Sequence, residues 1–295
     1  MRILITGGSG FIGLWLIESL LAKGADVRVL DLKTDSPLVA EILGDAAEKV
    51  DWRSGDVSAG AAVQAAAEGC DVLVHLAAVL TPACQADPIR GAEINLIGTL
   101  NVFEAARRHG IKSVVYMSSA GVFGPDDGTT PRPTTHYGAF KLAMEGCARA
   151  YWADHGIASA GFRPLVVYGP GREIGMTAGP SLACRAAARG EAYVIPFGGE
   201  SDFVHVGDVV AAYLAAIEKP LTDARAYTLV GECCSADAFA AEVCRAVPGA
   251  RIAAKGPTLP IAAHLDPGAL RDDFPTVPRT SVRDGIAATV AYYRT

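Results

Sequence analysis

Arg2-Ile3-Leu4-Ile5-Thr6-Gly7-Gly8-Ser9-Gly10-Phe11-Ile12-Gly13 is the stretch on which the reading of this chain turns. Four residues with aliphatic or β-branched side chains, Ile3 to Thr6, suited to a strand, run straight into glycines at positions 7, 10 and 13. From Phe11 to Lys23 the spacing of Ile12, Trp15, Leu16, Ser19 and Leu20 is helical, and Gly24 stands where a C-terminal glycine cap belongs. The unit expected is strand, tight glycine turn, helix, strand. Gly7 and Gly10 let the backbone come close to a pyrophosphate at the helix N-terminus, with Phe11 and Ile12 beside it, while Gly13 lets the helix lie against the strand.

The next strand, Val27–Asp31, ends on a carboxylate 18 residues after Gly13. A carboxylate there accepts hydrogen bonds from both hydroxyls of an adenosine ribose and repels a 2′-phosphate, which favours NAD over NADP. Lys33 and Arg28 pull the other way, because a basic residue near the end of this strand can pair with a 2′-phosphate. Gly55-Asp56-Val57 follows a third short apolar segment, so Asp56, with Val57 beside it, either meets the adenine amino group or simply forms the turn.

Further β-branched runs at Val72–Leu76, Ser113–Ser118 and Ala160–Arg163, the last running on to Tyr168, alternate with Ala- and Leu-rich helical stretches. Such alternation predicts an α/β fold, a Rossmann-type doubly wound parallel sheet. After Gly169 the pattern loosens, although Val209–Ile217 and Ser235–Val247 still read as helices. The expected division is a dinucleotide-binding domain over 1–168 and a smaller substrate-binding lobe over 169–295, laid over the open edge of the sheet and partly interleaved with it. Lys255 to Pro278 reads as loop, and Ser281 as the cap of a last helix reaching Tyr293.

The composition narrows the class. Hydrophobic residues make up 51% of 295 and charged residues 20%, which excludes a disordered or fibrous chain. Lys and Arg number 26 against 32 Asp and Glu, a formal charge of −6, so a surface that coats nucleic-acid phosphates is not expected. The seven cysteines are odd in number, lack a C-x-x-C pair and include the vicinal Cys233-Cys234, as in a protein of the reducing cytoplasm. The longest apolar run, Val72–Leu80, is interrupted by His75 and far short of a membrane span, and the N-terminus lacks the pattern of a signal peptide.

Tyr137 and Lys141 lie one helical turn apart in a helix-favouring stretch and so share a face. A phenol with pKa ~10 is a poor base at neutral pH; an ammonium ~5 Å away at an effective dielectric of ~20 contributes ~3 kcal/mol, about two pKa units. That brings Tyr137 into range as a general base. Ser119, just after the strand Ser113–Met117, lies at the carboxyl end of the sheet, where ligands bind in such folds. Ser119 would orient a substrate carbinol, Tyr137 take its proton, and Lys141 bias Tyr137 and grip the nicotinamide ribose.

With these residues in place, the chain resembles the extended short-chain dehydrogenase/reductase superfamily, in its NAD-dependent epimerase/dehydratase branch, over about residues 1 to 217. The resemblance also takes in His75-Leu76-Ala77-Ala78, Asn95-Leu96-Ile97-Gly98-Thr99, Arg163-Pro164-Leu165-Val166-Val167-Tyr168-Gly169-Pro170 and Asp202-Phe203-Val204-His205-Val206-Gly207-Asp208-Val209. It implies that Leu76, Ala77, Ala78 and Asn95 line the cofactor's path, that Tyr168 passes near the nicotinamide, and that two chains dimerise through the helices carrying Asn95 and Tyr137.

Departures from the family pattern sharpen the expected chemistry. Ser119-Ala120-Gly121 has no carboxylate where sugar dehydratases resemble Thr-Asp-Glu, which argues against elimination. Ser201 stands where enzymes of nucleotide-diphosphate sugars usually carry a diphosphate-clamping arginine, a role Arg172 or Arg279 would have to take over. A compact substrate is favoured: a free sugar, a sugar acid or a similar hydroxy compound, with Thr81, Ser119 and Arg172 as candidate contacts. Arg172 reads equally as a solvated loop residue. His75 reads as a hydrogen-bonded core histidine, His136 points away from Tyr137 around the helix, and no His or Cys spacing suggests a metal. NAD-dependent dehydrogenation is the expected activity; the alternative is an epimerase that holds its NAD. A non-catalytic sensor of the same fold is disfavoured by the presence of both Tyr137 and Lys141.

Overall fold

A computed structural model gives the structure of the protein and describes residues 1–294. In chain order its strands are β1 (Arg2–Thr6), β2 (Asp26–Asp31), β3 (Asp51–Ser54), β4 (Val72–His75), β5 (Ser113–Met117), β6 (Ala158–Arg163), β7 (Val166–Tyr168), β8 (Ala192–Ile195), β9 (Glu200–His205), β10 (Ala224–Thr228), β11 (Glu232–Ser235) and β12 (Arg251–Ala254). β3-β2-β1-β4-β5-β6 pair in parallel in that order, and β10 joins at the β6 edge of a seven-stranded sheet. This is the doubly wound order expected; it reverses between β1 and β4, where the loops leaving the carboxyl ends of two neighbouring strands go opposite ways.

The central sheet strands β1, β4 and β5 are buried on both faces, which explains their near-continuous apolar sequence. Ile3, Leu4 and Ile5 of β1, Leu73 and Val74 of β4, and Val114 and Val115 of β5 are wholly inaccessible. One helical layer packs through Val102, Phe103 and Met144 onto Leu73 and Tyr116, and Phe103 stacks on Tyr151 with ring centroids 5.0 Å apart.

The glycine turn follows from close approach rather than composition. Gly7 has φ +73°, and a Cβ there would stand 2.5 Å from the Ala77 amide nitrogen; a Cβ on Gly13 would stand 2.6 Å from the Gly8 carbonyl oxygen. The loop after β1 and the loop after β4 are thereby brought against each other, and the helix Phe11–Ala22 against its own turn.

The chain divides into two compact units. One comprises Met1–Ser119, Thr135–Arg163 and Val210–Tyr227; the other comprises Ala120–Thr134, Pro164–Val209 and the chain from Thr228 onward. The run from Ala160 to Tyr168 is therefore not one strand. Pro164 cannot donate to a sheet ladder, and the chain breaks there: β6 belongs to the seven-stranded sheet, whereas β7 pairs in parallel with β9 in a three-stranded sheet completed by antiparallel β11. β8 and β12 form a parallel pair. The second unit has its own core, in which Phe203 and Phe239 meet at 4.7 Å among Tyr168, Ile195, Phe197 and Ile286. Ser235 and Ser281 accept from the Ala238 and Asp284 amides and so cap Ala236–Ala246 and Val282–Tyr292. Between Lys255 and Pro278 the turn Leu270–Asp273 is helical.

Among the described residues no helix is long and apolar enough to cross a membrane, and the seven cysteines are free thiols. We expect Gly13→Ala to lower unfolding stability by about 1–3 kcal/mol in urea titration, the cost of forcing backbone apart in a packed turn; unchanged stability would contradict the tight approach of Gly13 to Gly8.

Candidate active site

The helix Phe11–Ala22 starts at Gly10 with neither a side-chain cap nor an acidic residue in its first turn, so no carboxylate of that turn offsets the positive end of its dipole. Asp31 Oδ2 accepts from the Ser9 amide at 3.0 Å and Oδ1 from the Leu32 amide at 2.7 Å, which fastens the carboxylate at the end of β2 to the glycine turn. An uncapped helix, a glycine-rich turn and a carboxylate fixed beside it fit a dinucleotide with unsubstituted ribose hydroxyls. Arg28 is no counterweight. Its guanidinium is buried, bonded to Asp51 at 2.7 Å and to the Ala66 and Glu68 carbonyls at 2.8 Å, and is unable to reach a 2′-phosphate; Lys33 is exposed.

Asp56 does form a turn. Oδ1 accepts from the Ser58 amide and hydroxyl, both at 2.8 Å, and Oδ2 pairs with Arg90; desolvation weakens the acid, but these contacts outweigh it and hold the carboxyl below the usual carboxylate range. Val57 packs its side chain into the core. Leu76, Ala77 and Ala78 lie in the half-buried loop after β4, opposite Gly7. Asn95 is buried and serves that same loop: Oδ1 accepts from the Val79 amide, and Nδ2 donates to the Val79 carbonyl and, at 3.2 Å, to Cys84 Sγ. Its amide thus shapes that loop from behind. Thr81 opens the short helix Thr81–Ala86 that follows.

Lys141 is the centre of the first unit's polar side chains. It lies in the helix His136–His155, whose start is fixed by Thr135 Oγ1 accepting from the Gly138 amide at 3.1 Å. Its side chain is buried, and Nζ donates to the Met117 carbonyl at the end of β5 at 2.6 Å. Nζ lies 5.6 Å from the centroid of the Tyr137 ring, one turn earlier. Burial pulls the ammonium down to about 8, while Cys84 and Glu145 act to raise it. Ser119 is the second residue after Met117 and is half-buried. Strand end, lysine and tyrosine are thereby brought together as the sequence predicted, and His136 is exposed.

One group near this cluster escaped sequence reasoning. Glu145, one turn beyond Lys141, is inaccessible; it accepts from Ser118 Oγ at 2.5 Å and from Arg163 Nε at 2.7 Å, and pairs with Arg163 Nη2 as well. Its i+4 spacing from Lys141 was available as a signal; its partners, on two other elements, were not. His75 is a core histidine: Nδ1 shares a hydrogen bond of 2.7 Å with Thr6 Oγ1, and Nε2 one of 3.1 Å with Thr99 Oγ1, which joins β1, β4 and the helix Gly98–His109.

In the second unit the expected residues are placed differently. Tyr168 is fully buried, its ring edge-on to His205 and Phe239 and its hydroxyl against Gly285, so its side chain is core and offers no surface to a cofactor. The physical reason is room: a Cβ on Gly285 would stand 1.9 Å from the Tyr168 hydroxyl oxygen. Arg172 is half-buried and hydrogen-bonded within the protein. Its Nη1 donates to the Val167 carbonyl at 2.9 Å and its Nη2 to Thr177 Oγ1 at 2.6 Å, tying the loop Gly169–Thr177 to the strand β7 that precedes it. Ser201 is buried beside Asp202, whose Oδ1 accepts from the Gly231 amide at 2.8 Å and whose acidity burial weakens to about 6; Arg279 donates to the Gly231 carbonyl. Among the described residues no group of three or more His, Cys, Asp or Glu is arranged to hold a metal ion.

A dinucleotide turn at the sheet's switch point, an acid closing β2 and a tyrosine-lysine pair docked on the strand end that carries a serine define an NAD-dependent enzyme of the extended short-chain dehydrogenase/reductase type. The chain belongs to the NAD dependent epimerase/dehydratase family, whose profile matches residues 3–229. It is 32% identical over 229 residues to a UDP-glucose 4-epimerase of Mycolicibacterium smegmatis, covering 73% of each chain. Among solved structures, the UDP-glucose 4-epimerase of Thermus thermophilus in complex with NAD superposes with TM-score 0.84 at 27% identity, over 100% of this chain and 99% of that one. A partial consensus L-threonine 3-dehydrogenase shares the fold with TM-score 0.90 at 23% identity, again over 100% and 99%.

The His75 environment sets a pH dependence. Burial, reinforced by the Lys141 charge, drops its imidazole from 6.5 to about 3. Between those values the unfolded chain binds the extra proton, so this histidine's share of stability is complete above pH 6.5 and is lost as pH falls toward 3. His75→Asn should show a shallower loss of stability across that window in thermal melts; a loss as steep as that of the parent chain would contradict the assignment.

Proposed function

We propose that the protein oxidises a carbinol of a small sugar, sugar acid or similar hydroxy compound with NAD. The observation that carries this reading is the buried Lys141 ammonium, held on the Met117 carbonyl with Tyr137 one turn away. When bound, NAD supplies the two-electron acceptor for the hydrogen leaving carbon. Gly7, Gly10, Phe11, Ile12 and Gly13 would hold its pyrophosphate, Asp31 its adenosine ribose, and Asp56 and Val57 its adenine. Leu76, Ala77 and Ala78 would line its path, with Asn95 acting through Val79. The first unit would then be the nucleotide-binding one, and the second would carry substrate specificity.

Ser119 orients the carbinol by a hydrogen bond, Tyr137 removes the hydroxyl proton, and Lys141 stabilises the phenolate that must exist for this to happen. Thr81 is a second candidate for substrate contact, whereas Arg172 shapes its loop. Ala120 and Gly121 leave no carboxylate for elimination. Ser201 in place of a diphosphate-clamping arginine supports a compact substrate over a nucleotide sugar.

Epimerisation is the second reading, favoured by the names of the relatives: an enzyme with the same proton relay that returns the hydrogen on the other face. A dehydrogenase releases NADH in proportion to product, read by near-ultraviolet absorbance; an epimerase purifies with NAD held and turns over without added cofactor. We also propose a cytoplasmic homodimer, supported by the free cysteines and by exposed Ile97 and Trp152 on the helical side that carries Asn95 and Tyr137. Tyr137→Phe should lower kcat by about 10²–10⁴ with NAD retained, the range for loss of a general base; unchanged turnover in a screen of aldoses, uronates and aldonates would contradict the assignment.

A further inference from the structure

We propose that Glu145 is a positioning residue for the proton relay, holding the Lys141 ammonium charged and, through Ser118, fixing the strand end on which Lys141 and Ser119 depend. The inference rests on the reading of Tyr137 as general base and adds three residues to it that touch neither substrate nor cofactor.

The geometry starts from helix periodicity. Tyr137, Lys141 and Glu145 are spaced four apart in one helix and lie along one face. Glu145 is wholly buried, as is Ser118, and the Arg163 fork closes on both carboxylate oxygens. Ser118 stands between Met117, whose carbonyl receives Lys141, and Ser119. The hydrogen bond from Ser118 Oγ to Glu145 therefore anchors the residue that joins the carbonyl holding the ammonium to Ser119.

Electrostatics point the same way. Lys141 is faced by His75 from β4, by Cys84 from the helix Thr81–Ala86, and by Tyr137 and Glu145 from its own helix. Near pH 8 the His75 imidazole is neutral, and burial keeps the Cys84 thiol protonated, its acidity pushed the other way from ionisation. Glu145 is then the anionic neighbour that opposes desolvation of the ammonium, tempered by Arg163 behind it. The consequence is one of microstates. The first proton to leave the pair departs either from Tyr137, giving the active phenolate and ammonium, or from Lys141, giving an inert phenol and amine. Glu145 biases that partition toward the active form.

The test is a spectrophotometric titration of Tyr137 in the full chain without cofactor, each protein read against its own Tyr137→Phe partner. The parent Tyr137 should ionise below the ordinary phenol value of ~10. In Glu145→Gln its midpoint should rise by about one pH unit, because Lys141 loses its proton first. Glu145→Gln with Arg163→Gln removes the stranded guanidinium, guards against misfolding, and should shift Tyr137 in the same direction. In turnover, kcat should fall several-fold on the plateau while the low-pH limb and KM stay put; a packing defect alone would lower the whole profile. An unchanged midpoint in both variants beside a lowered parent value overturns this inference and leaves the proposed function standing. A parent Tyr137 that ionises only in the ordinary phenol range overturns both.

Discussion

A protonated amine seated on a main-chain carbonyl, Lys141 Nζ against the Met117 oxygen at 2.6 Å, is the contact on which the functional account depends. Removing an ammonium from water costs several kcal/mol unless hydrogen bonds and an opposite charge offset the loss. The fold supplies both: the Met117 carbonyl at the end of β5 and the carboxylate of Glu145 one turn along the helix. The outcome is a buried ammonium, lowered by desolvation and supported by its neighbours, with an aromatic hydroxyl on the same helical face.

That arrangement needs the doubly wound sheet. Parallel strands end together, so the carboxyl ends of β1, β2, β4 and β5 deliver the glycine turn, Asp31, the Leu76–Ala78 loop and Ser119 to one edge of the first unit. The loops are held from beneath by buried polar contacts, Thr6 to His75 to Thr99 and Asn95 to Val79, which leave little freedom in the floor of the site. Such contacts are costly if half-made and rigid when complete, which suits a site that must present groups at fixed separations.

Much of this was legible because it is local. The glycine spacing, the acid that closes β2 and the Tyr137–Lys141 turn are patterns within a few residues, each dictated by backbone close approach or helical period. What stayed hidden depends on residues far apart in sequence. Glu145 reads as an ordinary helix acid until Ser118 and Arg163 fold onto it. Tyr168 sits in a motif that suggests a ligand contact, yet the vacancy left by Gly285 lets its ring sink into the second unit's core. Arg28 looked free to meet a phosphate because nothing in its own strand shows Asp51 reaching across from β3. The break at Pro164 lay in plain sight, and only the sheet assignments show that it separates two units.

The most direct test of the central claim is the titration of the Lys141 side chain itself, followed by NMR in the cofactor-free chain labelled at lysine nitrogen and assigned with Lys141→Met. With the coupled phenol removed by Tyr137→Phe, the account predicts loss of the proton at about 8. A side chain that titrates at the ordinary lysine value near 10.4 would mean that the ammonium is solvated rather than buried beside Tyr137, and would contradict it.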